Sequence, residues 1–260
     1  MPWVTRGLAD GVVTTRYPAR PDDYGSGFRA AVTVHGTLPA DASDAVARLC
    51  PTDAIRVTGG APVVDRDRCV LCGRCVEALP EVFSFNSALE TAHRPAPLEA
   101  KHDGPLASTR TALAARTRAL RRSIYVRHVD TGSDGSDEWE VAALTGPIYD
   151  VQRLGVYFTA SPRHADLLLV TGAGSAAMAE PLRRTYDAMP APKVVVAVGA
   201  DAATGGPLRA SYVGTIGVSE LIPVDVVVPG SPPSPFSILH GILLAVGLLD
   251  PGSTSEDARP

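Results

Sequence analysis

The sequence predicts an α/β protein of two domains, the second built around a mostly parallel sheet. Three observations carry that expectation. At 260 residues the chain is long for one domain and comfortable for two. Beyond Tyr125, short β-branched runs (Val156 to Thr159, Leu167 to Thr171, Val194 to Val198, Val224 to Val228) alternate with helical stretches (Ala176 to Met189, Ser234 to Leu249). Apolar strands spaced by helices indicate a parallel sheet covered on both faces. Finally, aromatic residues make up only 5% while the chain holds 24 glycines and 23 prolines, which speaks for many turns and against an all-β fold.

From the amino end, residues 1–35 carry turn signals (Tyr17-Pro18, Pro21-Asp22-Asp23, Gly25-Ser26-Gly27) and little periodicity. Ala40 to Leu49 reads as a short helix. Residues 50–85 are rich in turns and contain every cysteine. Asn86 to Pro105, polar and Pro-rich, reads as a linker. Leu106 to Arg122 is helical in pattern, with Arg110, Arg116, Arg118, Arg121 and Arg122. That arginine face is either solvated or a basic surface that docks an acidic partner. The expected division is a first domain over 1–90, linker and basic helix over 91–124, a second domain over 125–250 and a tail over 251–260. No internal repeat is visible.

A net charge of −4 gives no reason to expect nucleic acid as partner. The start, Met1 to Arg6, lacks an apolar stretch of useful length for export. The longest apolar run, Ile238 to Leu249, is interrupted by His240 and Gly241 and is too short to span a bilayer. A soluble or peripheral cytoplasmic protein is expected. Thiols stay reduced in that compartment, so four cysteines read as metal ligands before they read as disulfides.

Cys69-x2-Cys72-x2-Cys75 puts three thiolates on one tight loop, and Gly73 lets its backbone wrap closely. Cys50-Pro51 lies 19 residues before Cys69. In two-cluster bacterial ferredoxins each C-x2-C-x2-C-x3-C-P run gives three ligands to one cluster and its last cysteine to the other. Here the first run survives only as Cys50-Pro51, and the second has Leu79-Pro80 where its fourth cysteine should stand. The four cysteines kept are the ligand set of one cluster, and the four lost are that of the other. Cys50, Cys69, Cys72 and Cys75 are therefore expected to bind one 4Fe–4S cluster. The competing reading is a zinc site of four thiolates, whose usual spacing of two paired C-x2-C motifs is missing here.

Further motifs carry a resemblance. Arg6-Gly7, Thr14-Thr15-Arg16-Tyr17-Pro18 and Gly27-Phe28-Arg29, with the cysteines, resemble the ferredoxin-like subunit of formate hydrogenlyase and energy-converting NiFe hydrogenases over about residues 1–90. Val129 to Ser133, Tyr149 to Gly155, Ser161 to Gly172, Pro181 to Pro190 and Val228 to Pro233 resemble the small subunit of those complexes, which is also the homologue of the 20 kDa subunit of complex I. The resemblance implies a fusion of two neighbouring subunits, a small α+β ferredoxin-like module followed by a flavodoxin-like domain.

The chain departs from that family where the proximal 4Fe–4S cluster is bound. G-S-C-x-G-C-E, G-x-C-A-x-x-G-G and P-G-C-P-P supply the family's four cysteines. The corresponding stretches here are Gly132 to Glu138, Gly199 to Gly206 and Pro229 to Pro233, so Asp134, Asp137, Asp201 and Ser231 replace the ligands. Hard oxygen donors do not normally hold an iron–sulfur cube, and the proximal cluster is expected to be absent. If the fold is kept, the three carboxylates converge beside Ser231 and repel one another. A hard cation with the Ser231 hydroxyl in its shell, a compensating arginine, or loops relaxed into solvent would each answer that repulsion.

Other motifs carry less. Thr171-Gly172-Ala173-Gly174 has the look of a phosphate-binding turn, but no acidic ribose ligand follows it. Ser161 to Asp166 holds an arginine, a histidine and an aspartate with no nucleophile beside them. Glu138 and Glu140 follow the altered motif, where the family's acidic position lies near the large subunit and invites a proton-transfer role.

The resemblance thus implies an electron-transfer subunit of a membrane-associated oxidoreductase complex, without catalytic residues of its own. Its implied partners are a hydrogenase large subunit-like or complex I 49 kDa-like protein and the membrane subunits. Its implied place is peripheral, on the cytoplasmic face of the inner membrane, with no membrane span. The alternative is a scaffold or assembly subunit that docks the large subunit and whose cluster, or zinc, is structural.

Overall fold

The computed structural model describes residues 2–20, 27–38, 43–89, 91–93, 123–208, 211–215 and 217–249. The chain opens with helix α1 (Pro2–Asp10), which buries none of its residues and carries an Arg6–Asp10 pair at 3.6 Å. There follow β1 (Arg29–Val34), α2 (Ser43–Leu49), β2 (Ile55–Thr58), β3 (Ala61–Val64), α3 (Arg74–Ala78) and β4 (Phe83–Ser87). β1 pairs antiparallel with β4, and β2 with β3. The β2–β3 turn is Gly59-Gly60, both at positive φ (61° and 82°), the pair of left-handed residues that a tight hairpin demands. Val32, Leu38, Val46, Ile55, Val82 and Phe83 form this module's core, and Cys50, Cys69 and Cys75 pack on its rim.

The second domain runs β5 (Ile124–Asp130), α4 (Ser136–Ala143), β6 (Val156–Phe158), β7 (Leu167–Thr171), α5 (Ala176–Ala188), β8 (Val194–Val198), α6 (Gly199–Thr204), β9 (Val226–Val228) and α7 (Pro235–Ala245). Its sheet has the order β6-β5-β7-β8-β9, every pairing parallel. This is the flavodoxin-like order, with the first strand inside the second. β7 and β8 are buried along their whole length, which is why they read as unbroken apolar runs. Alternate residues feed two cores. Leu167, Leu169, Val194 and Val196 face α7, whereas Leu168, Val170, Val195 and Ala197 share a core with Leu182 of α5.

α7 is buried at all eleven positions, as a helix apolar all round must be. Ser234 caps it by accepting from the Ser237 N–H at 3.2 Å, and Pro235 sits in its first turn.

The two modules share side chains. Tyr17, Phe28 and Tyr149 pack edge-on around Phe236 with ring centroids 5.9, 6.0 and 4.9 Å away. Thr15 N–H donates to the Ile148 carbonyl at 2.8 Å, and Arg153 donates to that of Tyr17. The expected boundary near residue 90 falls in a segment that runs along the second domain. Leu89 and Ala92 belong to the α7 core, and His93 exchanges two backbone bonds with Val227 of β9 at 2.9 and 2.8 Å. The basic helix expected over Leu106 to Arg122 and the tail over 251–260 lie outside the described residues. Among the described residues no helix is long and apolar enough to cross a membrane.

Candidate metal centre and the carboxylate site

The cysteine loop is shaped by backbone. Cys69 N–H bonds the Asp65 carbonyl at 3.1 Å, and Leu71 (φ 53°) and Gly73 (φ 82°) turn the chain through left-handed conformations before α3 begins. At Gly73 even a Cβ would stand 3.2 Å from the Phe85 ring, so both its φ and its contact ask for glycine. Cys75 sits on α3. Cys50 follows α2 directly and precedes Asp53, another left-handed residue (φ 50°).

All four cysteines line one cavity, together with Val32, Ala54, Ile55 and Val64. Backbone amides aim at three of the sulfurs: Ala54 N–H donates to Cys50 Sγ at 3.2 Å, Leu71 to Cys69 and Val76 to Cys75. Burial, assisted by the neighbouring thiols, pushes Cys69 up to about 11, and burial raises Cys75 as well. Cys72 is exposed. Among the described residues no three His, Cys, Asp or Glu side chains gather as a single metal ion would require. A 4Fe–4S cluster asks for something else, because each thiolate binds its own iron and the sulfurs stand apart around a cube. Four soft thiolates spread over one apolar cavity, with amide donors to their sulfurs, fit such a cluster.

The four substituted positions part company. Asp134 lies at the surface, where its Oδ1 accepts from Ser136 N–H (2.9 Å) and Oγ–H (2.6 Å), and these bonds hold its carboxyl below the usual range. Asp137, in the first turn of α4, is 3% exposed, and its Oδ1 has no partner. Its carboxylate lies so close over Gly199 that any Cβ there would overlap it. Asp201, in the first turn of α6, is 8% exposed, has an unpartnered Oδ1 and packs against Gly206 in the same way.

Burial pushes Asp137 up to about 8, with Asp201, Glu138, Asp134 and Glu140 adding to the effect. Asp201 is raised by burial and then by Asp134 and Glu138. Every charge that acts appreciably on either residue is a carboxylate. Ser231 instead lines an open cleft of about 330 Å³ with Phe28, Arg29, Leu71, Glu140 and Pro232. The structure therefore draws Asp137 and Asp201 into one buried site, and leaves Asp134 outside it and Ser231 on a cleft wall.

The glycine turn after β7 is spent on packing. Ala173 N–H bonds the Gly132 carbonyl at 2.9 Å, Gly174 N–H bonds Thr131 Oγ1 at 3.1 Å, and Ser175 N–H bonds the Thr131 carbonyl at 2.8 Å. Those amides are not directed at a phosphate. Asp166 likewise accepts from Tyr125 N–H at 3.0 Å, a bond that ties the start of β5. Sequence reading missed Thr204, whose hydroxyl lies between the Ala200 carbonyl at 3.1 Å and the Asp67 carbonyl at 3.4 Å, where α6 meets the cysteine loop. Nothing in its local sequence marks that role.

Comparison with known proteins places these sites in context. Residues 135–245 match the family model "NADH ubiquinone oxidoreductase, 20 Kd subunit", and residues 63–117 match "4Fe-4S single cluster domain". The second match takes in Cys69, Cys72 and Cys75 and stops short of Cys50. The chain is 38% identical over 148 residues to formate hydrogenlyase subunit 7 of Escherichia coli (strain K12), covering 57% of each protein. It is 41% identical over 134 residues to the "Probable membrane-bound hydrogenase subunit mbhJ" of Pyrococcus furiosus, covering 52% of this chain and 80% of that one. With the uncharacterized protein MJ0516 of Methanocaldococcus jannaschii the identity is 44% over 123 residues, 47% of this chain and 82% of that one. One solved structure, of an archaeal membrane-bound sulfane sulfur reductase complex, aligns at a TM-score of 0.46 and 28% identity over 54% of this chain and 77% of that one. The chain thus spans little more than half the length of the formate hydrogenlyase subunit.

Proposed function

Because this chain belongs to the family of the NADH ubiquinone oxidoreductase 20 kDa subunit, we propose that it is an iron–sulfur electron-transfer subunit of a membrane-associated oxidoreductase complex. The complex would be related to energy-converting NiFe hydrogenase, formate hydrogenlyase and complex I. The observation that carries this reading is the cavity on which Cys50, Cys69, Cys72 and Cys75 all open. When bound, a 4Fe–4S cluster supplies one-electron transfer at a potential set by charge, exposure and hydrogen bonds to sulfur. The Ala54, Leu71 and Val76 amides stabilise thiolate over thiol, and Val32, Ile55 and Val64 keep water from the cavity's inner wall.

In this proposal residues 1–90 form a ferredoxin-like module with a single cluster, and residues 125–250 form the family domain without its proximal cluster. The partners are a large subunit of the hydrogenase or complex I 49 kDa type and the membrane subunits of the same complex. The subunit sits peripherally on the cytoplasmic face of the membrane. No residue of this chain is assigned a catalytic role.

A second reading has its own support. Carboxylates rather than thiolates fill the second domain's site, as suits a scaffold that docks the large subunit around a structural cluster. Metal and sulfide analysis with EPR on anaerobically purified protein tests the shared premise. About four irons per chain with a reducible cluster is the expected result, and zinc without iron would overturn it. In the assembled complex, Cys72→Ser separates the two readings. Activity that survives loss of the cluster would leave only the scaffold.

A further inference from the structure

We infer that Asp137 and Asp201 form a proton-binding site, a buried carboxyl pair that carries a proton at neutral pH. The inference goes beyond the electron-transfer reading and does not rest on it, since the site is complete whether or not the cysteines hold iron.

Both side chains are more than nine-tenths buried, and each turns an oxygen without any hydrogen-bond partner into the protein. They start from two different strands. α4 follows β5 and α6 follows β8, and β7 lies between those strands in the sheet. Their first turns lie at the carboxyl ends of the strands, where α/β domains of this topology bind ligands. Asp137 lies against Gly199 and Asp201 against Gly206, each in the space that a Cβ would take at that glycine.

An ionised carboxylate held there would keep one oxygen, Oδ1, away from both water and any hydrogen-bond donor, and burial of such a charge is unfavourable. The groups that face the pair make matters worse. From α4 these are Glu138 and Glu140, and from the loop before it Asp134; all are acidic. Only a proton or a cation relieves the site. A hard cation takes six or more oxygen ligands, waters among them, in a converging shell. Among the described residues no third metal-binding side chain gathers with the two carboxyls and Ser231 opens on a separate cleft, so a cation there would be held mostly by water. A proton needs only one carboxyl, and the Asp201 charge close by makes ionisation of Asp137 costlier still. Burial and like charge agree: they set Asp137 near 8, which favours its acid form about tenfold at pH 7, and they raise Asp201 as well. Their apparent values belong to the pair rather than to either residue.

Infrared difference spectroscopy on the full chain from about pH 5 to about pH 10 tests this. The expected result is the carbonyl band of a protonated carboxylic acid that persists at neutral pH and disappears with a midpoint near 8. The band should be missing in Asp137→Asn, and in Asp201→Asn its midpoint should fall. If a variant fails to fold, wild-type protein with isotope-labelled aspartate still decides, because the band must shift with the aspartate label. A neutral-pH spectrum free of that band, or a band unmoved by the label, overturns the inference. So does stoichiometric loss of the band on adding magnesium or calcium chloride, which would make the pair a cation site.

Discussion

Replacing Asp137 by asparagine preserves the outline of a protonated carboxyl and removes its ability to ionise. The wild-type carboxyl has its pKa raised from 3.8 to about 8 on folding, chiefly by burial. Between those two pH values the native protein keeps a proton that the unfolded chain has released. Native stability therefore falls as pH rises, by about 1.4 kcal/mol per pH unit for each proton so retained. Below the ordinary carboxyl range both states are protonated and no stability is lost. Above about 8 both are ionised, and the native state carries the full cost of the buried charge. Over that window the loss amounts to roughly 4–6 kcal/mol.

Asparagine escapes this loss but leaves a buried amide short of partners, a cost of about 1–3 kcal/mol. The variant should therefore lie within about 1.5 kcal/mol of wild type near pH 5, and be more stable by about 3 kcal/mol near pH 9. Urea unfolding at a series of pH values, at matched iron content, measures this directly. A stability difference that stays constant across the series would refute the reasoning, because it would mean that Asp137 ionises alike in both states.

Four further outcomes are expected. Cys72→Ser should lose the cluster absorbance and most of the bound iron while far-UV circular dichroism is retained, since Cys72 is exposed and outside the core. His240 is 2% exposed and its pKa is lowered by burial to about 4, so its stability contribution is present above 6.5 and lost as pH falls through 4. That loss reaches up to about 3 kcal/mol and should be missing from His240→Gln in acid unfolding curves. Gly172→Ala should cost about 2 kcal/mol or more in urea unfolding, because Gly172 has φ 80° and an added Cβ would stand 2.8 Å from the Gly132 backbone. Leu169→Ala, inside β7 and fully buried, should cost about 2–5 kcal/mol by the same measurement.

The sheet was legible because its central strands are buried on both faces. Leu167 to Thr171 and Val194 to Val198 are read as strands and fold as strands over the same residues, since no polar position interrupts them. α7 is shorter than the expected Ser234 to Leu249, because its apolar run continues into the turn at Gly247 after the helix has ended at Ala245. The first module was harder. β1 and β4 are short, half-buried and far apart in sequence, and their pairing is a non-local fact that period alone does not reveal. α1 was missed, and it buries none of its residues.

At the candidate site, spacing singled out the cysteines, and the structure sets all four around one cavity. The substituted positions were legible only as a set. Motif alignment treats Asp134, Asp137, Asp201 and Ser231 alike, whereas burial separates two of them from the rest. A sequence motif reports which residues share a loop, and not which way each side chain turns.

The pairing of His93 with Val227 has a consequence for how the chain is assembled. β9 ends the sheet, and its outer rim would otherwise offer unpaired backbone groups to any passing strand. Residues 91–93, placed before the family domain in sequence, seal that rim, while Leu89 and Ala92 seat against α7. The seam between the two ancestral-looking parts therefore differs from the seam between pieces that can fold separately. A gene cut at Ile124 would yield a domain with an open rim beside Val227 and a vacant apolar seat on α7. Covalent fusion removes that hazard, because each newly made sheet finds its own cover on the same polypeptide.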